Sequence, residues 1–441
     1  MALPTSVTVT WTADGLIIVP SETDVPVTPP VTPPTTEGIQ AKRISDLIEL
    51  FGVNTFSSMD EHNTWGSWPA DYKPESVIAA LKYIVGDSGF ALRIREYHYS
   101  NKYAMQAEWL PKIVSAFPGT KVSLCPGANM NISDVETMLD LSDNPANGII
   151  WLEGLNEPNT DFGSGQVPVE TTMAIQNGVW RANSARKIMG PSIVAGMPHP
   201  EGWITGYFGN QMDTVNTLMH EGNGHYYPPG NPDVPATGWS INEYIGGLWT
   251  VYAQKSIHLT EFHPTLYNSE GNKPDQPGWS GDRDAYYTLL TLLRCGKNGT
   301  QGLWWYALFD YGTQYKCGLF PTDNENNPRP VADALKTLCT ICADRGDRHN
   351  FTTEKLAIEI TGLTSAIDYD VYQTSDKAFI VPIWYSANEN AAEVNVHITL
   401  AKQSIITVYN PLDVNDPIKT ADATTMDLNV LPGIFILVID Q

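Results

Sequence analysis

Ile149-Ile-Trp-Leu-Glu-Gly154 runs directly into Leu155-Asn156-Glu157-Pro158-Asn159. The first stretch is apolar enough for a buried strand, and the polar, proline-containing turn after it ends that strand. The same alternation recurs on both sides of it. Strands are expected at 53–57, 91–95, 121–125, 149–154, 193–197, 214–219, 256–261 and 302–307. Amphipathic stretches lie between them: Leu110, Ile113, Val114 and Phe117 fall at helical spacing, as do Val77, Leu81, Ile84 and Val85. Further helices are expected near 170–189, 240–254, 283–295 and 330–343, the last opened by Pro330, where a first helical turn tolerates proline. Eight strand–helix units in roughly 300 residues predict an α/β fold with a parallel sheet, and eight is the number that closes a (β/α)8 TIM barrel. A doubly wound open sheet would carry a Gly-rich phosphate turn after its first strand, and none follows 53–57.

Outward from this barrel, expected over 38–345, the pattern changes on both sides. After residue 350 the segments 371–373, 378–384, 393–400, 404–409, 426–430 and 433–439 read as strands with no helix-length amphipathic stretch among them. They predict a small antiparallel β-sandwich over 350–441. At the other end, 25–37 is a Pro/Thr-rich run that favours an extended, semi-rigid linker. Before it, Val7-Thr-Val-Thr-Trp11 and Leu16-Ile-Ile-Val19 flank Ala13-Asp-Gly15, a hairpin within 1–24. A two-stranded hairpin is too small to stand alone, so it is expected to dock on the sandwich, whose edges gain from another strand.

Composition narrows the function classes. The chain has 441 residues, with 49 Asp plus Glu against 26 Lys plus Arg, a formal net charge of −23. A surface that negative repels phosphate backbones and anionic lipid, so nucleic-acid binding is set aside. No apolar run reaches the length of a membrane span, which sets aside membrane insertion. Cys125, Cys295, Cys317, Cys339 and Cys342 are scattered and resemble no disulfide framework. The Cys339-Thr-Ile-Cys342 pair lacks the second pair a zinc site would want, and reads as a buried helix face. Met1-Ala-Leu-Pro lacks the basic start and long apolar core of a signal peptide. The compartment stays open: secreted or periplasmic if a leader was removed, otherwise cytoplasmic. The oligomeric state stays open.

Functional side chains of a (β/α)8 barrel sit at the C-terminal ends of its strands. The fourth strand ends in Asn156-Glu157-Pro158 and the seventh in Thr260-Glu261-Phe262. Two carboxylates on different strand ends suit acid/base and nucleophilic work on a glycosidic bond, one held protonated and the other ionised. This combination resembles the clan of retaining glycoside hydrolases built on (β/α)8 barrels. The added sandwich is similar in layout to family 39-type enzymes, the xylosidases and bacterial exopolysaccharide hydrolases.

The resemblance implies that Glu157 is the acid/base, Glu261 the nucleophile, and Asn156 the residue that holds the sugar 2-hydroxyl. It also implies an Arg beside the nucleophile at the end of the second strand. Arg95 fits, with Arg93 on the same face as the alternative. His225-Tyr226-Tyr227-Pro228 matches the clan's sixth-strand pattern and makes Tyr227 the partner of the nucleophile, although His220 could also end that strand. Trp304 or Trp305 takes the place of the Trp beneath the sugar. The implied partner is a carbohydrate substrate, with no cofactor and no metal. The competing readings are a carbohydrate-binding or structural protein without turnover, and a transglycosylase.

Other motifs are read more plainly. His220-Glu-Gly-Asn-Gly-His225 has the wrong spacing, and two glycines, for a zinc-protease helix. Trp151 reads as barrel core. Trp65 and Trp68 serve equally as sugar platforms or as loop packing. Asn131, Asn298 and Asn350 sit in N-glycosylation patterns that matter only on a eukaryotic secretory route. Residues 221–240 and 262–282, rich in Gly, Pro, Asn and Trp, are the expected specificity loops.

Overall fold

The structure is a computed structural model that describes residues 7–12, 15–20, 38–55, 73–127, 132–160, 165–181, 185–194, 200–228, 232–233, 240–264, 281–310, 317–321, 327–387, 391–413 and 416–441. The chain divides into two units, 1–38 and 39–441. In the first, Val7–Thr12 and Gly15–Pro20 pair antiparallel, with Val7 opposite Pro20 and Thr12 opposite Gly15. The Pro/Thr run lies outside the described residues.

The larger unit holds a curled parallel sheet of the TIM-barrel kind. Its strands are Phe51–Asn54, Arg93–His98, Val122–Pro126, Ile149–Leu152, a fifth in two pieces (Lys187–Ile188 and Ile193–Val194), Gly222–Tyr226, Ile257–Phe262 and Gly302–Trp305. The eighth pairs with the first, and the two ends of the hydrogen-bonded ladder are the two pieces of the fifth. Single bridges, Asn156 to Ser192 and Met189 to Glu221, tie those pieces to the strands they do not otherwise pair with.

Helices follow the strands, among them Pro74–Val85, Tyr103–Ala116, Val169–Arg181, Ile241–Val251, Gly281–Asn298 and Pro330–Ile341. Val77, Leu81, Ile84 and Val85 turn inward together, as their spacing requires. Ser240 caps the Ile241–Val251 helix in a reciprocal capping box with Glu243. Cys339 and Cys342 are buried at the end of the Pro330–Ile341 helix, and all five cysteines are free. No helix among the described residues is long and apolar enough to cross a membrane.

The sixth strand departs from expectation. Residues 214–219 were expected to be the sixth strand, but Met212–Thr217 is helical and the strand is Gly222–Tyr226. Its sequence, Gly-Asn-Gly-His-Tyr, has no apolar alternation because two of its positions must be bare. A Cβ on Gly222 would meet the Tyr252 ring at 2.5 Å, and one on Gly224 would meet Leu248 at 2.7 Å. The strand is buried throughout, and the Ile241–Val251 helix packs directly on its backbone.

The C-terminal strands are antiparallel. Val394–Tyr409 is one long strand where two were expected. Its first half pairs with Ile358–Thr361 and its second with Gly433–Asp440, while Lys419–Val430 follows it along both halves. The exchange of neighbours falls at a register shift between Thr399 and Ser404, where a bulge bends the strand. Inward residues of these strands, including Val381, Ile383, Val396, Ile398, Ile406 and Leu437, form a core of their own. Residues 39–43 pair with this region: Ile39–Gln40 with Lys355–Leu356, and Lys42–Arg43 with Tyr372–Gln373.

Candidate active site

Along the second strand Arg93, Arg95 and Tyr97 alternate onto the face lining the barrel interior. Arg95 is fully buried and makes a fan of contacts. Its Nε and Nη2 both lie 2.9 Å from Glu153 carboxylate oxygens, and its Nη1 donates to Glu261 Oε1 at 2.8 Å and to Asn54 Oδ1 at 2.9 Å. Its Nη2 also donates to Asn156 Oδ1 at 2.9 Å. Glu153 is further held by Ser123 Oγ at 2.6 Å and Asn223 Nδ2 at 3.1 Å. Burial alone would raise Glu153, but the Arg95 guanidinium and the Ser123 hydrogen bond, with His225, together hold the carboxyl below its ordinary value. Arg95 is thus fixed from below by a permanent anion and offers its remaining edge to Glu261.

Glu261 reaches the interior through an irregularity. Thr260, its neighbour, already points inward and donates to Asn223 Oδ1 at 2.6 Å. Strict alternation would turn Glu261 outward. The seventh strand shifts register against the eighth between Leu259 and Phe262, and the sixth shifts against the seventh between Gly224 and His225. These bulges bring His225 opposite Glu261 and aim both inward. Glu261 Oε1 accepts from Arg95 and from the Tyr97 hydroxyl, and Oε2 accepts from the Tyr227 hydroxyl.

Glu157 follows the fourth strand in a left-handed conformation, φ 44°, that non-glycine residues rarely adopt. Its backbone is pinned on both sides. The Glu157 N–H donates to Ser192 O at 2.9 Å. The Asn159 side chain donates to Val194 O at 2.8 Å and accepts from Val194 N–H at 3.1 Å. The side-chain carboxyl, 14% exposed, lies 2.6 Å from His225 Nδ1. Burial first, and the Glu261 carboxylate second, push Glu157 above the ordinary carboxylate value, with the His225 contact pulling the other way. Asn156 points its Oδ1 down at Arg95 and Ser192, and its Nδ2 has no hydrogen bond among the described residues.

Glu157, His225 and Glu261 therefore converge, each offering an atom within 4.8 Å of the others. As a metal site this set is poor. Glu261 already accepts from three donors, one of them the Arg95 cation, which a divalent ion would have to face. As a pair of carboxylates in contrasting surroundings it is well suited to acid/base and nucleophile roles.

The comparisons with known proteins bear on the fold. A family 39 glycoside hydrolase from the gut symbiont Bacteroides cellulosilyticus WH2 superposes with a TM-score of 0.59 at 14% identity, covering 90% of this chain and 81% of that one. The chain shares that fold. A conserved exported protein from Bacteroides fragilis matches at 10% identity over 92% of this chain and 98% of that one, with a TM-score of 0.49. A family 5 glycoside hydrolase from Prevotella bryantii matches at 12% identity over 64% of this chain and 96% of that one, with a TM-score of 0.40. These last two superpose too loosely to carry an argument. No protein-family profile and no curated protein matches the chain.

Within this TIM-barrel fold the expected residues sort clearly. Glu157, Glu261, Asn156, Arg95, His225 and Tyr227 come together. Arg93 does not: its guanidinium lies over Trp151 at 5.0 Å and Trp304 at 5.7 Å, at the opposite end of its strand from Tyr97. His220 is also elsewhere, its Nδ1 accepting from Ile188 N–H at 2.9 Å. One of Trp304 and Trp305 was expected beneath the sugar, and both are buried. Trp304 is fully buried in a floor cluster with Trp151 and Met189. Trp305 is buried too, its Nε1 donating to Cys317 O at 3.0 Å. The next ring, half-buried Tyr306, stands edge-on at 6.2 Å to Tyr227, whose hydroxyl reaches Glu261. Sequence reading also missed Tyr97, Glu153 and Asn159. Alternation from Arg95 would have found Tyr97. Trp65, Trp68 and most of 262–282 lie outside the described residues.

The contrast between the carboxylates has a consequence for stability. A raised folded-state pKa stabilises the fold below the ordinary carboxylate value, and that contribution is lost as pH rises through the raised value. Glu157→Gln removes the ionisation, so it is expected to raise the melting temperature relative to wild type at pH 8 and not at pH 4. Thermal melts at the two pH values check this; an equal shift at both would mean that burial beside Glu261 costs Glu157 nothing.

Proposed function

We propose that this chain is a retaining glycoside hydrolase that cleaves β-linked bonds of a poly- or oligosaccharide by double displacement. The observation that carries the reading is the approach of Glu157 and Glu261, with oxygens within 4.8 Å, in opposite electrostatic surroundings. Retaining enzymes keep their two carboxyl groups about 5–5.5 Å apart, and inverting ones leave roughly 6.5–9.5 Å for a water. Glu261, ringed by donors, attacks the anomeric carbon as a carboxylate. Glu157, kept protonated by burial and by its anionic neighbour, gives its proton to the leaving oxygen, with His225 Nδ1 orienting that carboxyl. Asn156 Nδ2 is the donor offered to the sugar 2-hydroxyl. Water then attacks from the side of the departed group, gives its proton to Glu157, and releases the sugar from Glu261.

The first-formed product should keep the anomeric configuration of the substrate, read by proton NMR before mutarotation. An inverted product would exclude Glu261 as a covalent nucleophile. Incubation with xylan, β-glucans, mannan, galactan and bacterial exopolysaccharides, followed by product mass analysis, identifies the sugar.

A further inference from the structure

The three protons that reach Glu261 are divided unevenly between its oxygens. Oε1 accepts from Arg95 Nη1 at 2.8 Å and from the Tyr97 hydroxyl. Oε2 accepts from Tyr227 and lies 3.3 Å from His225 Nδ1, the atom that also touches Glu157. Oε2 is therefore the oxygen turned toward the acid across the cleft, and Oε1 is turned toward the barrel's polar interior. The Tyr97 ring stands against the Arg95 guanidinium, 4.7 Å from it, and its hydroxyl accepts from Arg95 Nη1 at 2.9 Å while donating to Oε1. Burial, against the pull of Arg95, raises this phenol well above its usual range, so the hydroxyl keeps a proton to donate to Oε1.

We infer that Tyr97 is a positioning residue for the second half of the reaction: it holds Oε1 with Arg95, commits Oε2 to the anomeric carbon, and stabilises the carboxylate as it departs. The inference rests on the glycosidase reading above. In the first step Oε2 bonds to the anomeric carbon, the glycosidic C–O bond breaks, and the leaving oxygen takes the proton of Glu157. Glu261 loses its charge, so hydrogen bonds to Oε1 weaken. In the second step a water oxygen bonds to that carbon and its proton passes to Glu157. The Oε2–carbon bond breaks and its electron pair returns to Glu261. Hydrogen bonds to Oε1 strengthen as the charge comes back. A donor at Oε1 therefore assists release of the sugar more than its capture.

Tyr97→Phe keeps the ring and removes the proton. The substrate is the dinitrophenyl β-glycoside of whichever sugar the wild-type protein releases fastest, so that release from the enzyme limits turnover. The expected result is a fall in kcat of about tenfold with a parallel fall in KM, leaving kcat/KM within about twofold. Intact-protein mass spectra during turnover should show a larger fraction of chains carrying one sugar. Substituting 3-fluorotyrosine at position 97, a stronger donor of nearly the same shape, should raise kcat on the same substrate. It keeps the test intact if the phenylalanine variant folds poorly. A merely structural role would lower kcat/KM with KM unchanged and no added mass, which overturns the inference, as would wild-type constants in both variants. Absence of turnover by the wild-type protein on every glycoside would overturn the glycosidase reading and this inference with it.

Discussion

Glu261→Gln should lower turnover by at least ~10⁴-fold, about 5.5 kcal/mol in the barrier, on every substrate that the wild-type protein cleaves. The amide is nearly the same shape but is a far poorer nucleophile, and no other described carboxylate faces Glu157. The fold should survive the change. Arg95 keeps its three contacts to Glu153 and its bonds to Asn54 and Asn156, so its charge stays compensated. Circular dichroism and the melting temperature should stay close to wild type while product formation disappears. The smaller Glu261→Gly variant adds a stereochemical readout. Azide entering the space left by the carboxylate should give a glycosyl azide of inverted configuration, because a single displacement replaces two. A Glu261→Gln variant with more than a few per cent of wild-type activity would remove the nucleophile assignment.

Glu157→Ala should show a different signature. For glycosides with poor leaving groups the loss should be roughly 10²–10⁴-fold, the usual contribution of a general acid. For activated aryl glycosides the first step needs little proton assistance, so the sugar is captured on Glu261 and then waits for a water with no base to activate it. Added azide, which needs no base, should restore turnover and give a glycosyl azide of retained configuration. Opposite azide stereochemistry from the two variants separates their roles. Equal losses on all substrates, with no azide effect, would mean that Glu157 is not the acid/base.

The frame of the candidate site was legible in the sequence because the residues concerned sit at strand ends, where period-two patterning and a turn coincide. Asn156-Glu157-Pro158 follows a plain apolar run, and Arg95 follows from counting along its strand. What patterning could not show is where the backbone breaks its own rule. Thr260 and Glu261 both face inward, which needs the register shift beside them. The Gly222–Tyr226 strand carries no hydrophobic signature, because glycine is what lets a helix pack against its backbone. His225 and Tyr227 were found by motif, ahead of the strand that bears them. The two tryptophans illustrate the opposite error. A Trp-Trp-Tyr run at a strand end offers three rings, and only the geometry decides that Trp304 fills the floor, Trp305 packs against Phe262 and His263, and Tyr306 turns toward Tyr227.

The Asn159 side chain meets both backbone polar groups of Val194, so it prolongs the ladder between the fourth and fifth strands by one rung made of a side chain. That rung closes two residues after Glu157, and at the next residue Thr160 N–H bonds back to Glu157 O at 3.0 Å. Val167 N–H donates to Pro158 O at 2.9 Å, so the described chain beyond the turn is tied back to the residue next to Glu157. On the proposed reading, the backbone that carries the proton donor is held by bonds with Thr160, Ser192 and Val167, so a loop exchanged between 160 and 167 is expected to leave the acid in register.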